Sequence, residues 1–420
     1  MHPENTSVDP RLQAVTVLSR VEAHSAHAAR LLGGATPAER ELVMGALRWQ
    51  LTLDRLLERH LRTPIGTLDV RVRAVLRVGL YEARRMRTPA PVAVAEAVRL
   101  AKAVAPRAAG LVNAVLRRAV GEPWPDASDA TVPLSVRYSH PEWLVERWCG
   151  FLGEEATEGA LAADQEGAPL YLLSAVSALG DLTAAGCVLR AHRTVAGVVA
   201  VEAGVEAAVA ALQAGRAYAM DPTAVAVARV LPDVKGTFVD LAAAPGGKSL
   251  VLASERPGGH VLASDRHFGR VVLMRRNLGL AGRPLALTVA DAGAPPFRPA
   301  SCLAVVLDAP CSGTGTLRRH PEIRWRLRPG DLTALSATQR RLAAAASELV
   351  APGGVLLYAT CSLEPEENSE VLAGLPLEVV PLTARLPDRL VRIELPSGGA
   401  VIPPGADGDG FTVHLLRKRA

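Results

Sequence analysis

The sequence predicts a multidomain protein with an all-α N-terminal domain, a small α+β middle subdomain and a C-terminal α/β domain. Residues 8–120 carry apolar side chains at helical spacing, and residues 133–215 mix short apolar runs with helical stretches. From residue 216 onward, short apolar runs alternate with helical segments, a pattern typical of a mostly parallel sheet with helices on both faces. The polar, Pro-containing segment 121–132 is the expected linker.

Helical periodicity is clearest in the N-terminal part. One helix face is indicated by Leu53, Leu56, Leu57 and Leu61, and another by Val112, Val115 and Leu116. Thr36 is expected to cap a helix that begins at Pro37, with Glu39 in its first turn. Hydrophobic residues make up 49% of the chain and aromatic residues only 4%, so Ala, Val and Leu must build the cores.

Charge and apolar content limit the possible classes of function. The net charge is +5, and residues 1–125 carry 19 Lys+Arg against 11 Asp+Glu. This asymmetry fits a surface that docks a polyanion, but charge alone favours an ordinary Arg-rich surface. No apolar stretch is long enough for a membrane span, and residues 1–13 lack the pattern of a secretory signal. We therefore expect a cytoplasmic protein without a membrane partner.

A Gly-rich turn follows the apolar run 237–241. It consists of Ala242, Ala243, Ala244, Pro245, Gly246, Gly247 and Lys248. Glycines allow a ligand to approach the backbone, and the helix start that follows offers unpaired N–H groups. A P-loop would need Gly at position 242, and the glycine spacing of a dinucleotide fingerprint is missing. The turn therefore favours a ligand with an amino-acid carboxylate over one with phosphates.

Acidic residues end four apolar runs of this half. They are Asp240, Asp265, Asp291 and Asp308. An acidic side chain at the end of the second strand of such a sheet can bind both hydroxyls of a ribose. Each Asp alone is equally consistent with a helix cap. Four of them at successive strand ends favour a nucleoside ligand.

Two of the five cysteines also follow predicted strands. Cys311 lies in the segment DAPCSGTG at 308–315, and Cys361 lies in YATCS at 358–362. A single cysteine at such a place is usually a core residue, whereas two at neighbouring strand ends indicate chemistry. The odd number of cysteines, their wide spacing and the lack of a Cys-x-x-Cys pair argue against a disulfide framework and a zinc site. We expect no metal.

Longer motifs carry a resemblance to a known family. AAPGGKS at 243–249, DAPCSGTG at 308–315, RRHPEIRW at 318–325 and YATCSLEPEEN at 358–368 together resemble the RNA cytosine-5 methyltransferases over residues 220–420. RAVLRVGLYEARRM at 73–86, VAEAVRLAKA at 94–103 and GLVNAVLRRA at 110–119 resemble the antitermination factor NusB. This fusion is characteristic of the Sun (RsmB) subgroup. The resemblance implies a NusB-like RNA-binding domain at 1–120 and a Rossmann-like class I methyltransferase domain at 216–420.

The resemblance also implies a reaction, the transfer of a methyl group from S-adenosylmethionine to carbon 5 of a cytosine in small-subunit (16S) rRNA. Cys361 would attack carbon 6, because its Thr-Cys pair matches the nucleophile motif of the RNA enzymes. Asp308 would hydrogen-bond the base near N3, and Cys311 would assist proton removal from carbon 5 and expulsion of the thiol. Pro310-Cys311 is the nucleophile dipeptide of the DNA enzymes, so exchanged roles stay open, although the RNA-type context favours Cys361.

The resemblance places the ligands around these groups. Residues 242–248 would wrap the methionine end of the cofactor, Asp265 would hold its ribose, Asp291 would meet the adenine, and Asp308 would border the methyl group. Lys248 would bind the cofactor carboxylate or order the catalytic loop; the sequence leaves both open. The RNA contacts would come from a basic stretch that includes Arg318, Arg319, His320, Arg324 and Arg326.

Some positions depart from the family pattern. Met220, Val225 and Leu173 stand where relatives commonly have polar side chains, and Thr412 stands where a second Phe is usual. The alternatives are the same chemistry on 23S rRNA or tRNA, or a non-catalytic RNA-binding factor of ribosome assembly. The two thiols, Asp308 and the Gly-rich turn disfavour the non-catalytic alternative. We expect a monomer.

Overall fold

The computed structural model describes residues 9–232, 236–256, 259–282 and 285–420. The chain divides into two compact units, one formed by the residues up to Glu166 together with Leu317–Arg326, the other by Gly167–Thr316 and Leu327–Ala420. The first unit thus extends beyond the predicted linker 121–132 and includes residues 133–166, which we expected in the middle subdomain. The first residues of the predicted polar N-terminus, 1–8, lie outside the described residues.

The first unit is helical, as predicted. Its helices are Pro10–His24, Ala28–Leu31, Pro37–Arg48, Gln50–Glu58, Val70–Arg85, Ala90–Val104, Ala109–Ala119, Leu134–Arg137, Glu142–Leu152, Glu154–Ala163 and Ile323–Arg326. Both predicted apolar faces lie in one core, where Leu57 and Leu116 are fully buried. Thr36 caps its helix as expected, since its hydroxyl accepts from the Glu39 amide at 3.2 Å while the Glu39 carboxylate accepts from the Thr36 amide at 2.6 Å.

The second unit begins with a small antiparallel sheet. Its strands are β1 (Tyr171–Leu173), β2 (Val188–Ala191) and β3 (Val198–Ala203), in the order β1-β3-β2. The helices Leu179–Ala184 and Val205–Gln213 share a buried apolar cluster with this sheet. The α+β prediction is therefore confirmed for residues 171–213.

The rest of the second unit is the predicted α/β domain. Its strands are β4 (Thr237–Asp240), β5 (His260–Asp265), β6 (Ala286–Val289), β7 (Cys302–Asp308), β8 (Val350–Thr360), β9 (Glu378–Val380), β10 (Ile393–Glu394), β11 (Ala400–Ile402) and β12 (Phe411–Arg417). The helices are Pro222–Arg229, Gly247–Glu255, Phe268–Leu278, Pro329–Leu349 and Ser369–Leu372.

The sheet order is β10-β11-β12-β8-β7-β4-β5-β6, and β9 pairs with β12. Strands β4 to β8 run parallel, whereas β12 is antiparallel to β8. The chain builds one side of the sheet from β4 through β6 and then crosses to β7 on the other side of β4. Ligands of such doubly wound sheets bind at the carboxyl ends of the strands where the order reverses. This reversal lies between β4 and β7.

Packing of the first unit can be tested at one helix. Leu116 is fully buried, whereas Leu111 in the same helix is 39% exposed. We expect Leu116→Ala to lower the free energy of unfolding by about 3 kcal/mol, because it leaves a cavity in the core. Leu111→Ala is the matched control and should cost less than about 1 kcal/mol.

The measurement is urea unfolding followed by tryptophan fluorescence. All five tryptophans, Trp49, Trp124, Trp143, Trp148 and Trp325, belong to the first unit, so the signal reports on that unit. Equal losses of stability in the two variants would contradict the packing described here.

Candidate active site

A cavity of about 270 Å³ lies at the carboxyl ends of the parallel strands. Its lining contains both predicted thiols and most of the predicted acids; among the lining residues are Ala242, Ala244, Asp265, Asp291, Asp308, Cys311 and Cys361. The turn residues Ala243, Pro245, Gly246, Gly247 and Lys248 are not part of that lining. Ala243 is buried in the apolar core, and Gly246 has a φ of +105°, which favours glycine.

The two predicted thiols meet in this cavity. Cys311 Sγ and Cys361 Sγ are 3.3 Å apart, within the range of a sulfur hydrogen bond. Cys311 lies shortly after the end of β7, and Cys361 directly follows the last residue of β8. These strands are paired with Asp308 opposite Ala359, so the segments that leave them start side by side.

The Asp308 carboxylate is held by a cation from the Gly-rich turn. Lys248 Nζ donates to Asp308 Oδ2 at 2.7 Å and lies 4.9 Å from the centre of the Phe411 ring. The Lys248 side chain is almost fully buried, whereas that of Asp308 is 37% exposed. Of the two roles left open for Lys248, this contact supports the ordering of the catalytic loop.

Two glycines let the loop after β7 pack against the start of β12. Gly315 donates its amide to the Cys361 carbonyl at 2.9 Å, and Gly410 donates to the Gly315 carbonyl at 2.6 Å. A Cβ on Gly315 would lie 2.2 Å from the Gly410 carbonyl oxygen, so no side chain fits there. Backbone contact therefore ties both cysteine loops to β12.

A buried carboxylate that the sequence analysis missed lies behind the thiols. Glu367 accepts from the Ser312 amide at 2.8 Å, from the Ser312 and Ser362 hydroxyls, and from Gln339 Nε2 at 2.9 Å. It is fully buried. In the sequence it is one of two adjacent acids in the motif that contains Cys361, and nothing local distinguishes it from Glu366.

Several pKa values in the site are shifted upward. The hydrogen bond to Cys361, burial, and the negative charges of Cys361, Glu367 and Asp308 raise the pKa of Cys311 well above its usual range. Burial raises the pKa of Asp240, at the end of β4, to about 7, against the opposing effect of a hydrogen bond from Ser249. Negative charge is thus concentrated around the Cys311 thiol, whereas the lining of the whole cavity also contains Arg266, Arg270 and Arg341.

The cavity residues fit S-adenosylmethionine, a ligand that combines a ribose, an adenine and a sulfonium cation. Asp265 ends β5, is 4% exposed and lines the cavity, which is the position of a ribose-binding acid. Asp291 lies beyond β6, where its carboxylate accepts from the Gly293 amide at 2.8 Å. Ala292 and Leu342 add apolar surface to the lining. Among the described residues, no group of three or more His, Cys, Asp or Glu side chains could hold a metal ion.

The predicted RNA-binding stretch is corrected by the structure. Segment 317–326 belongs to the first unit, where Arg324 is 1% exposed and Arg318 is 4% exposed. Arg324 donates to the Ser139 carbonyl at 3.0 Å, and burial raises the pKa of the neighbouring Asp164 to about 7. Arg324 and Arg318 are therefore internal residues and not surface contacts for a phosphate backbone.

The other members of that stretch are half-buried. Arg319, His320 and Arg326 keep partial exposure, and Arg326 Nη1 lies 3.1 Å from His27 Nδ1. Trp325 donates its indole N–H to the Leu47 carbonyl at 2.7 Å. RNA contact by these three basic residues stays a prediction.

The positions that depart from the family pattern lie in the apolar core. Leu173 and Val225 are fully buried, and Met220 is 9% exposed. Next to Met220, Asp221 caps the helix Pro222–Arg229 by accepting from Thr223 at 2.9 Å, and it also accepts from the Asp409 amide at 3.1 Å. This carboxylate therefore joins two segments of the chain.

Comparisons with known proteins agree with this geometry. The family described as 16S rRNA methyltransferase RsmB/F matches residues 228–414, and the NusB family matches residues 9–120. Curated relatives from several bacteria carry the name ribosomal RNA small subunit methyltransferase B. The relative from Vibrio cholerae is 31% identical over 395 residues, covering 90% of this chain and 88% of the relative. The relative from Pseudomonas putida is 33% identical over 398 residues, covering 87% and 88%.

A solved structure agrees over nearly the whole chain. The crystal structure of PH0851 has a TM-score of 0.76 at 24% identity and covers 98% of this chain and 99% of its own. The fold is that of an S-adenosylmethionine-dependent methyltransferase. The chain belongs to the 16S rRNA methyltransferase RsmB/F family, with a NusB domain at its N-terminus. The predicted family, fold class and cofactor are thereby confirmed. No helix among the described residues is long and apolar enough to span a membrane.

The corrected position of Arg324 can be tested through stability. We expect Arg324→Ala to destabilise the first unit by about 3 kcal/mol, because Asp164 loses a neighbouring positive charge and the Ser139 carbonyl loses its donor. Arg62→Ala, at an exposed arginine of the same unit, is the control and should have little effect. Urea unfolding followed by tryptophan fluorescence measures both. Wild-type stability in Arg324→Ala would contradict the assignment of this side chain to the core.

Proposed function

We propose that this protein methylates carbon 5 of a cytosine in 16S rRNA through a covalent adduct between Cys361 and carbon 6 of the base. The observation that carries the proposal is the pair of thiols 3.3 Å apart in the cavity that Asp308 also lines. A binding protein would have no need for this pair. The names of the relatives support rRNA of the small subunit as the substrate.

Carbon 5 of cytosine is a poor nucleophile because it belongs to an aromatic ring. When the Cys361 thiolate forms a bond to carbon 6, the ring becomes an enamine whose carbon 5 can take up a methyl cation. Bound S-adenosylmethionine supplies that methyl group as an electrophile. The adduct is then neutral and carries both the new methyl group and a hydrogen on carbon 5.

Asp308 and Lys248 orient the base. The partly exposed Asp308 carboxylate can accept a hydrogen bond from the cytosine edge near N3, where the exocyclic amino group is a donor. Lys248 Nζ holds the same carboxylate at 2.7 Å and keeps it in one position. The positive charge of Lys248 also offsets the negative charge of Asp308 while the ring gains negative charge from the thiolate.

Cys311 is suited to the proton transfer. The pKa of Cys311 is raised by its hydrogen bond to Cys361, by burial and by nearby negative charges, so Cys311 holds its proton while Cys361 attacks the base. Once Cys361 is bonded to carbon 6, its negative charge is gone and Cys311 can lose its proton to water. The Cys311 thiolate then takes the proton from carbon 5, the C–H electron pair restores the ring double bond, and the Cys361 thiolate leaves.

The assignment of the two thiols predicts the behaviour of cysteine variants. Cys361→Ala should form no covalent complex with RNA that carries 5-fluorocytosine, which has no carbon 5 proton to lose, whereas wild type and Cys311→Ala should form it. Cys361→Ser should lose methyl transfer by at least about 1000-fold with unchanged cofactor affinity. Denaturing gels and tritium incorporation measure the two effects, with Cys149→Ser as the control thiol. A complex in Cys361→Ala but not in Cys311→Ala would exchange the roles.

The substrate is tested in cells. Bisulfite mapping of total RNA with and without this protein should reveal one 16S rRNA cytosine that loses protection when the protein is absent and regains it with the wild-type gene but not with Cys361→Ser. If the cytosine that loses protection lies in 23S rRNA or tRNA instead, the proposed reaction would stand and the proposed substrate would be wrong. No lost site, together with full function of Cys361→Ser, would favour a non-catalytic assembly factor.

A further inference from the structure

We propose that Glu367 is the positioning residue of the thiol pair, holding the two cysteine loops together and supplying a negative charge that keeps the proton on Cys311. The proposal deepens the proposed function and rests on it. It concerns a side chain that lies outside the cavity lining and makes no hydrogen bond to either thiol among the described residues, so it acts through the residues that it holds and through its charge.

The contacts of Glu367 follow directly from the order of the chain. Ser312 is the residue after Cys311, and Ser362 is the residue after Cys361. Both hydroxyls donate to the same carboxylate oxygen, Oε2, and the Ser312 amide donates to Oε1 at 2.8 Å. The Glu367 carboxylate therefore holds the serine that directly follows each of the two cysteines.

A third element is tied to the same carboxylate. Gln339, in the helix Pro329–Leu349, donates from Nε2 to Glu367 Oε1 at 2.9 Å and to the Pro310 carbonyl at 2.9 Å. Pro310 is the residue before Cys311, so the Cys311 loop is held on both sides. The Glu367 carbonyl in turn accepts from the Tyr358 hydroxyl at 2.7 Å, which anchors it to β8.

The donors match an ionised carboxylate. An ionised Glu accepts only and offers about four lone-pair positions, and it receives four donors here, two amide-type N–H groups and two hydroxyls. None of these donors carries a charge. The negative charge of Glu367 therefore acts on its surroundings without a neutralising partner among these four.

The charged groups near the Cys311 thiol lie on the two loops that Glu367 connects and at the end of β7. Cys361 and Glu367 lie on the loop after β8, and Asp308, paired with Lys248, lies at the end of β7. The hydrogen bond that Cys311 donates to Cys361, burial, and negative charge on each of Cys361, Glu367 and Asp308 all raise the pKa of Cys311. Removing the Glu367 charge should lower the pH at which Cys311 ionises.

The decisive experiment measures the thiol and not the methyl transfer. In a Cys361→Ser background, the rate of alkylation of Cys311 by iodoacetamide is followed against pH, with the adduct located by mass spectrometry. E367Q keeps the size of the side chain and removes the charge, so the midpoint should fall by about one pH unit. E370Q, an exposed carboxylate three residues on, is the matched control and should leave the midpoint unchanged. Cofactor binding confirms that each variant is folded.

An unchanged midpoint in folded E367Q would overturn the proposal. Because no RNA is used, this result does not depend on whether the proposed function is correct. Should E367Q not fold, Ser312→Ala and Ser362→Ala each remove one hydroxyl that the carboxylate holds. Each should lower single-turnover methyl transfer by about tenfold at unchanged cofactor affinity. Full turnover in both serine variants would also overturn the proposal.

Discussion

The parallel pairing of β7 with β8 is the constraint on which the active site depends. Neighbouring strands of a sheet lie about 4.8 Å apart. The loop segments that follow two adjacent parallel strands stay close to each other only if hydrogen bonds or packing hold them together. Backbone hydrogen bonds from Gly315 to Cys361 and from Gly410 to Gly315 provide that connection. The glycines are required because any Cβ at Gly315 would meet the Gly410 backbone. The distance between the thiols is thus a property of the sheet and its loops together.

The carboxylates of the site act on a single thiol more than on the cavity as a whole. Asp265, Asp291 and Asp308 line the cavity together with three arginines, Arg266, Arg270 and Arg341, and the Lys248 cation is bound to Asp308. Around Cys311, in contrast, the hydrogen bond to Cys361, burial, and the negative charges of Cys361, Glu367 and Asp308 all raise the pKa of the thiol. The acids near the strand ends therefore matter most for the protonation of Cys311.

The sequence predicts the reacting groups better than their surroundings. Alternation of apolar runs and helical segments correctly predicts the parallel strands, and residues at strand ends such as Asp265, Asp308 and Cys361 meet in one cavity because their positions follow from topology. Local charge density, in contrast, misleads at Arg324, which looks like a surface residue. Its burial depends on Ser139 and Asp164, which lie far away in the chain. Periodicity contains no information about such distant partners, nor about which of two adjacent acids, Glu366 or Glu367, points inward.

The departures from the family pattern fall on supporting positions. Thr412 stands where a second Phe is common, and its hydroxyl donates to the Ser362 carbonyl at 2.7 Å. Asn368 Nδ2 donates to the same carbonyl at 3.1 Å. The backbone just after Cys361 is therefore held from β12 and from its own loop. A hydroxyl at position 412 thus gives the segment after Cys361 a hydrogen bond that a Phe side chain could not supply.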